Sequence, residues 1–313
     1  MKFSFVIPCF RSELTVEDVI SEIHSKMSEK KAIDYEIIAV NDCSPDNVLS
    51  VLKNIAAADD QVKVIDLAKN GGKHAAIMAG YSIVTGDIII NLDDDGQCPL
   101  DKLWDLTEPL FGNYDISIAK YPTKKQSMFK NFGSAINLIM SRYLIGKPKN
   151  LYLSNFSAIK KFVVNEIIKY DKPYPYLDGL MLRTTSKICN VIMEERERSV
   201  GVSNYTFIKS LKLWLNGFTA FSVKPLRIST ILGAVCAVIG FVFGIYTIVN
   251  KIIHPDVLVG YSSTMAVLLF IGGMIMMMLG MIGEYIGRIY ICINNSPQYV
   301  IKDTINVEVK KEE

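Results

Sequence analysis

DIIINLDDDGQCP, residues 87–99, decides how the chain is read. Its first half is a short unbroken apolar run, the pattern of a strand buried on both faces of a parallel sheet. Its second half puts Asp93, Asp94 and Asp95 where that strand emerges. Adjacent carboxylates repel one another unless a cation neutralises them. Hard divalent ions such as Mg²⁺ or Mn²⁺ take oxygen ligands and commonly sit between carboxylates and a diphosphate. In extended backbone alternate residues point the same way, so Asp93 and Asp95 can share one metal or its ligand. A solvated acidic turn is the weaker reading of the same residues.

Upstream, FSFVIP (residues 3–8), YEIIAV (35–40) and VKVIDL (62–67) repeat the buried-strand pattern, and helical periodicity covers 15–30, 46–57 and 73–84. Strands alternating with helices at this spacing predict an α/β domain built on a doubly wound, mainly parallel sheet. Ligands of such sheets bind beyond the carboxyl ends of the strands. The polar segments 8–13, 41–46 and 93–97 each fall at or just beyond a strand end. Asp42 can accept hydrogen bonds from a base or ribose there, whereas Asp46 reads as the N-cap of the next helix. In Lys69-Asn70-Gly71-Gly72-Lys73-His74, paired glycines and a lysine at a helix N-terminus suit an anionic group. Their spacing is neither that of a P-loop nor that of a dinucleotide fingerprint, and His74 reads as structural. Farther on, ERERSVGVSNY (195–205) offers Arg196 and Arg198, either as a phosphate clamp or as a salt-bridged surface loop.

The chain has 313 residues, half of them hydrophobic, and a formal net charge of +2. That balance gives no reason to expect nucleic acid as a partner. Its mean hydropathy of +0.25 is high for a purely soluble enzyme. The six cysteines form no CxxC pair and read as small buried hydrophobes in a reduced cytosolic setting rather than as disulfides or zinc ligands. No signal peptide is expected ahead of the first strand.

Charge thins after Arg227, which predicts a soluble front and a membrane-embedded back. Residues 207–227 mix Lys209, Lys212, Lys224 and Arg227 with Trp214 and other apolar side chains, as in amphipathic interfacial helices. Two uncharged spans, 228–250 and 261–283, predict a transmembrane hairpin within 228–287. Its flanks carry Lys209, Lys212, Lys224, Arg227 and Arg288 against Lys251 in the loop, which places both flanks in the cytoplasm. The expected organisation is thus a cytoplasmic catalytic domain over 1–206, the interfacial and hairpin segments, and a cytoplasmic tail over 288–313. In that tail Ile305, Val307 and Val309 alternate with polar residues, as in a strand returning to the soluble domain.

These parts together resemble family 2 glycosyltransferases of the polyprenyl-phosphate type. VIPCF with Glu13, VNDCSPD, KNGGKHAAIMAGY, LDDDGQCP, RSVGVSNYTF and GEYIGRIY occur in that family's order across nearly the whole chain. Bactoprenol glucosyltransferases and aminoarabinose-type transferases are the nearer resemblance, dolichol-phosphate mannose synthases the more distant. The resemblance implies a Rossmann-like GT-A fold and a metal-dependent (Mg²⁺ or Mn²⁺), inverting hexosyl or pentosyl transfer. The donor would be a nucleotide sugar and the acceptor undecaprenyl phosphate, at the cytoplasmic face of the inner membrane, in a homo-oligomer such as a tetramer. By position, Pro8 and Glu13 would border the nucleotide, and Asp42 would bind base or ribose. Asp93 and Asp95 would handle metal and diphosphate, with Asp94, Gln97 and Lys73 beside them. Arg196, Arg198 and Ser203 would hold the acceptor phosphate. Relatives often carry a carboxylate just before the stretch that here reads SNFSAIKKF, where this chain has Ser154 or Asn155; Asp178 is the residue expected to take over the positioning. A processive polysaccharide synthase would need a QxxRW motif and more spans, and a non-catalytic membrane adaptor would not keep Asp93, Asp95 and Arg198.

Overall fold

The computed structural model describes residues 1–30, 33–121, 147–148, 150–194, 196, 224–254, 260–294 and 296–307. The chain divides into two compact units, one of residues 1–205 with 295–313 and one of residues 206–294.

In the first unit β1 (Lys2–Cys9), α1 (Val16–Ser28), β2 (Asp34–Asn41), α2 (Val48–Ala58), β3 (Val62–Leu67), α3 (Lys73–Tyr81) and β4 (Ile88–Asn91) alternate as the apolar runs predict. After a short helix α4 (Leu103–Thr107) come β5 (Ile116–Lys120), β6 (Ser157–Lys160), α5 (Lys161–Ile167), α6 (Leu177–Thr184) and β7 (Ile188–Ile192). The tail adds β8 (Ile301–Ile305), and the strands form one sheet in the order β7-β5-β6-β4-β1-β2-β3-β8. Neighbours from β4 to β3 are parallel; β6 runs against β4 and β5, and β8 against β3. The doubly wound sheet is therefore mainly parallel in its N-terminal half and mixed beyond it.

β1, β2 and β4 are mostly apolar and buried because both faces of the sheet are covered there. Phe3, Phe5 and Ile7 pack with Val19, Ile20, Ile23 and Leu52 from α1 and α2 on one face. Val6, Ile38 and Val40 pack on the other with Ile77 and Met78 from α3 and Val163, Val164 and Leu180 from α5 and α6. α3 lies so close that a Cβ on Gly80 would stand 2.5 Å from Val6 Cγ1. Pro8 sits in a central strand, where proline is unusual. β4 pairs only with Phe3 to Val6, so Pro8 lies beyond that ladder and its missing N–H costs no bond there.

At the amino-terminal edge of the sheet a buried Glu36 collects Ser4 Oγ (2.5 Å), Lys63 Nζ (2.7 Å), Thr85 N (2.6 Å) and Thr85 Oγ1 (2.8 Å). Burial alone would raise its pKa, but these donors outweigh it and hold the carboxyl at about 2. Cys9 and Cys98 are buried as expected; Cys43 is exposed and Cys189, Cys236 and Cys292 are half-buried, all as free thiols.

The second unit contains α7 (Lys224–Ile253) and α8 (Tyr261–Ile293), of 30 and 33 residues, each long and apolar enough to cross a membrane. Phe241, Tyr246, Ile252, Phe270 and Met276 point outward along them. The two helices touch where Cys236 Sγ lies 3.2 Å from Met274 Sδ. Two boundaries differ from the sequence reading. α7 starts at Lys224, with Pro225 in its first turn, where a missing N–H is tolerated. α8 does not stop at Gly283 but runs through Glu284 and Arg288 to Ile293, because isolated charges do not break a helix. The rest of the expected interfacial segment, residues 207–223, lies outside the described residues, as does Val309.

Candidate active site

The site is built where β1, β2 and β4 end. The loops after β1 and β2 hold each other: Arg11 N donates to Ser44 Oγ (2.8 Å), Glu13 N to Asp46 Oδ2 (3.1 Å), and Asn47 N to Glu13 Oε2 (2.8 Å). Asp46 is therefore not the N-cap of α2. Asn47 occupies that position, and the Asp46 carboxylate is taken by Glu13 N and by Ser44 Oγ (2.6 Å). Glu13 acts in this arrangement as a brace between loops, and Pro8 is buried within its strand.

Asp42 turns its carboxylate onto the glycine loop, accepting from Gly71 N (2.7 Å) and Gly72 N (2.9 Å), while its main-chain oxygen accepts from Asn70 Nδ2 (3.0 Å). Burial lifts its pKa above the ordinary range and the two glycine bonds pull it down in part. Gly72 has φ +83°, a backbone that side-chain-bearing residues rarely adopt, so the loop needs glycine there. This turn delivers Lys73 as the first residue of α3, with its ammonium paired to the Asp93 carboxylate.

The other oxygen of Asp93 accepts from Asn155 Nδ2 at 2.9 Å. Sheet register brings these two together. β6 is antiparallel to β4 with Ser157 opposite Asn91, so the residues just before β6 lie beside those just after β4. Asp95 Oδ1 accepts from Gln97 N (3.1 Å) across a turn in which Gly96 has φ +73°. Asp94 faces the other way: its carboxylate accepts from Phe10 N (3.0 Å) and its carbonyl from Thr15 Oγ1 (2.6 Å). Burial is the largest influence on its carboxyl and pushes it up to about 6.

Asp178 enters from the first turn of α6. Burial drives its pKa up to about 6, against the pull of the Lys147 charge, a Tyr176 hydrogen bond and the Lys73 charge. Lys147 is itself buried. His74 stacks edge-on against Tyr176 with ring centroids 5.5 Å apart, and burial, helped by the Lys73 charge, lowers its pKa to about 4. A neutral ring packed in this way agrees with a structural role.

Asp93, Gln97, Asn155 and Asp178 open into one pocket of about 260 Å³, walled also by Tyr121 and Tyr152. The pocket joins three of the sequence-predicted residues, with Lys73 attached through Asp93. It does not take in the others. Asp42, Glu13 and Asp94 organise the adjoining loops. Arg196 is spent on Glu22 Oε1 (2.7 Å) and Asp101 Oδ1, while its N–H reaches Gln97 O (3.3 Å). It thereby fastens the turn after Asp95 and is not turned toward the pocket. Arg198 and Ser203 lie outside the described residues. Lys147, Tyr121, Tyr152 and Tyr176 had no signal in the sequence, since none belongs to a spaced motif.

Comparison with known proteins finds matches to both the N-terminal and the C-terminal parts of the chain. The family model described as Glycosyl transferase family 2 matches residues 4–166, and the one described as GtrB C-terminal hairpin matches residues 224–289. A prophage bactoprenol glucosyl transferase homolog of Escherichia coli (strain K12) is 31% identical over 303 residues, 96% of this chain and 99% of its own. The uncharacterized glycosyltransferase YkcC of Bacillus subtilis (strain 168) is 28% identical over 312 residues, 99% of this chain and 96% of its own. Among solved structures, glucosyl-3-phosphoglycerate synthase from Mycobacterium tuberculosis shares the fold. It matches with a TM-score of 0.51 at 18% identity, over 70% of this chain and 79% of that one.

Proposed function

The chain belongs to glycosyl transferase family 2, and on that premise we propose that this GT-A enzyme moves a sugar from a nucleotide donor, a UDP-sugar for preference, onto a polyprenyl phosphate. The observation that carries the reading is the pocket in which Asp93 and Asp178 meet beyond the end of β4, with Lys73 on Asp93. The acceptor class rests on the bactoprenol relatives and on the two long apolar helices. These helices serve as a two-span anchor in the cytoplasmic membrane, with the catalytic unit on its cytoplasmic side and the chain in a homo-oligomer.

An oxygen of the acceptor phosphate attacks the anomeric carbon, the bond from that carbon to the diphosphate oxygen breaks, and the nucleoside diphosphate leaves with the electron pair. The phosphate is already a nucleophile, so no general base has to create one. Asp178 orients the reactants rather than taking a proton. Lys73 exchanges Asp93 for the departing diphosphate and takes up its charge. Asp42, Glu13 and Pro8 shape the nucleotide side, with Asp94 and Gln97 fixing the turn between. Arg196 braces the turn after Asp95, and Arg198 and Ser203 are the residues assigned to the acceptor phosphate.

Asp93 and Asp95 would hold Mg²⁺ or Mn²⁺. The donor set fits a hard ion: carboxylates two positions apart, beside a Cys98 that burial keeps as a thiol. Among the described residues no cluster of three ligands exists, so a diphosphate would have to complete the shell. When bound, such an ion adds positive charge against the leaving group.

The test is to incubate the purified protein in detergent with undecaprenyl phosphate, Mn²⁺ or Mg²⁺ and a panel of UDP- and GDP-sugars, and to look for a lipid-linked monosaccharide by mass spectrometry. One donor should give product, and Asp95→Ala should lose it together with metal-dependent nucleotide binding. Absence of product from every donor, with no binding of UDP, GDP or metal, would overturn the reading.

A further inference from the structure

The C-terminal tail does more than add an edge strand. Gln298 Nε2 donates to two main-chain carbonyls, Tyr170 O at 2.6 Å and Lys172 O at 2.9 Å. Its own main-chain carbonyl faces the glycine loop, where a Cβ on Gly71 would lie 3.4 Å from Gln298 O and 2.9 Å from Ala75 Cβ. One residue thus spans two arms of the site. On one side Gly71 and Gly72 hold the Asp42 carboxylate and lead into Lys73, which pairs with Asp93. On the other, residues 170–172 run on through Pro173 to Tyr176 and Asp178.

We propose that Gln298 is a positioning residue for the donor site, setting the separation between the glycine loop and the arm that carries Asp178. The proposal rests on the nucleotide-sugar reading above. Anchoring of the tail does not require this residue. β8 pairs with β3 from Val64 to Leu67, and Val300 O accepts from Ala68 N at 2.8 Å. Asn306 Nδ2 reaches Ala56 O (2.7 Å), Asp59 O (3.2 Å) and Val62 O (3.0 Å), far from the pocket. Asn306 is therefore the natural control, as a residue of the same tail that fastens it without touching either arm.

The experiment uses the full chain in detergent and measures calorimetric binding of UDP and of GDP with MnCl₂, alongside Tm. Gln298→Glu keeps the shape but cannot donate two hydrogen bonds to carbonyls. Losing two such bonds should weaken binding of the preferred nucleotide by about tenfold. Gln298→Asn, too short for both carbonyls, should give a smaller loss in the same direction. Asn306→Gly, which suits the φ of 57° at that position, should lower Tm and leave nucleotide affinity unchanged. If either Gln298 variant binds nucleotide as the wild type does while its Tm falls like that of Asn306→Gly, Gln298 only fastens the tail and the proposal is overturned. If the wild type binds neither nucleotide, the donor reading falls and this inference with it.

Discussion

Replacing Asp178 with Asn should make the unliganded protein more stable and the enzyme slower. Burial raises this carboxyl from 3.8 to about 6 despite the nearby Lys147 and Lys73 charges. A carboxyl whose folded pKa lies above its unfolded value binds its proton more tightly when folded. Its ionised form therefore costs stability at every pH above the folded pKa. A rise of that size corresponds to about 3 kcal/mol, at about 1.36 kcal/mol for each tenfold change in proton affinity. The side chain faces a pocket that admits water, and screening there reduces the figure to about 1–2 kcal/mol. Asn mimics the protonated acid and keeps the shape, so Tm at pH 7 should rise by about 3–6 °C. The gap between variant and wild type should shrink as pH falls from about 6 toward 3.8 and vanish below, where both side chains are neutral. Turnover should fall by about 10²-fold, the scale of a misplaced reactant. The acid limb near pH 6 in the wild-type pH–rate profile should weaken in the variant. Differential scanning calorimetry from pH 4 to 8 and initial rates over the same range provide both readouts. A Tm that is unchanged or lower at pH 7, by an amount independent of pH, would refute the electrostatic argument.

Glu36 behaves in the opposite sense. Its donors hold the folded carboxyl at about 2 against a reference of 4.5, so its contribution of about 3 kcal/mol is fully present above pH 4.5 and is lost as pH falls toward 2. Glu36→Gln should be destabilised at pH 7 by about that amount, and its Tm should depend less on pH between 4.5 and 2. Gly80→Ala should cost about 1–3 kcal/mol, because the new methyl meets Val6 Cγ1 at 2.5 Å. Val6→Ala in the same chain should restore part of the lost Tm, and failure to restore any would place the strain elsewhere.

The half of the sheet from β4 to β3 was legible because buried parallel strands must be largely apolar on both faces, and FSFVIP, YEIIAV and DIIINL are, apart from single polar positions such as Ser4 and Glu36. The strands β5, β6 and β7 were not, since Ser117, Lys120, Ser157, Lys160 and Asn190 interrupt their short apolar runs. Asp93 was legible as a site residue from the strand that ends beside it. Its partner Asn155 was legible only as a departure from the family pattern; the antiparallel register of β6 is what makes it a hydrogen-bond donor to Asp93.

The amino-acid sequence by itself determined the α/β class, the strand-end location of the acidic cluster, the two long apolar helices and the family. The first three depend on composition and periodicity, which local physics decides, and the family on motifs spread over nearly the whole chain. Only the tertiary structure decided which polar residues face the pocket and which brace the loops around it. Asp46 looked like a helix cap until Glu13 N, 33 residues away, took its carboxylate. Arg196 looked like a phosphate clamp until Glu22, 174 residues away, claimed it. Asp94, between two site carboxylates in sequence, points back to Phe10 N because adjacent residues leaving a strand face opposite sides. A side chain's role is set by which partner reaches it first in space, and for these residues that partner lies far along the chain.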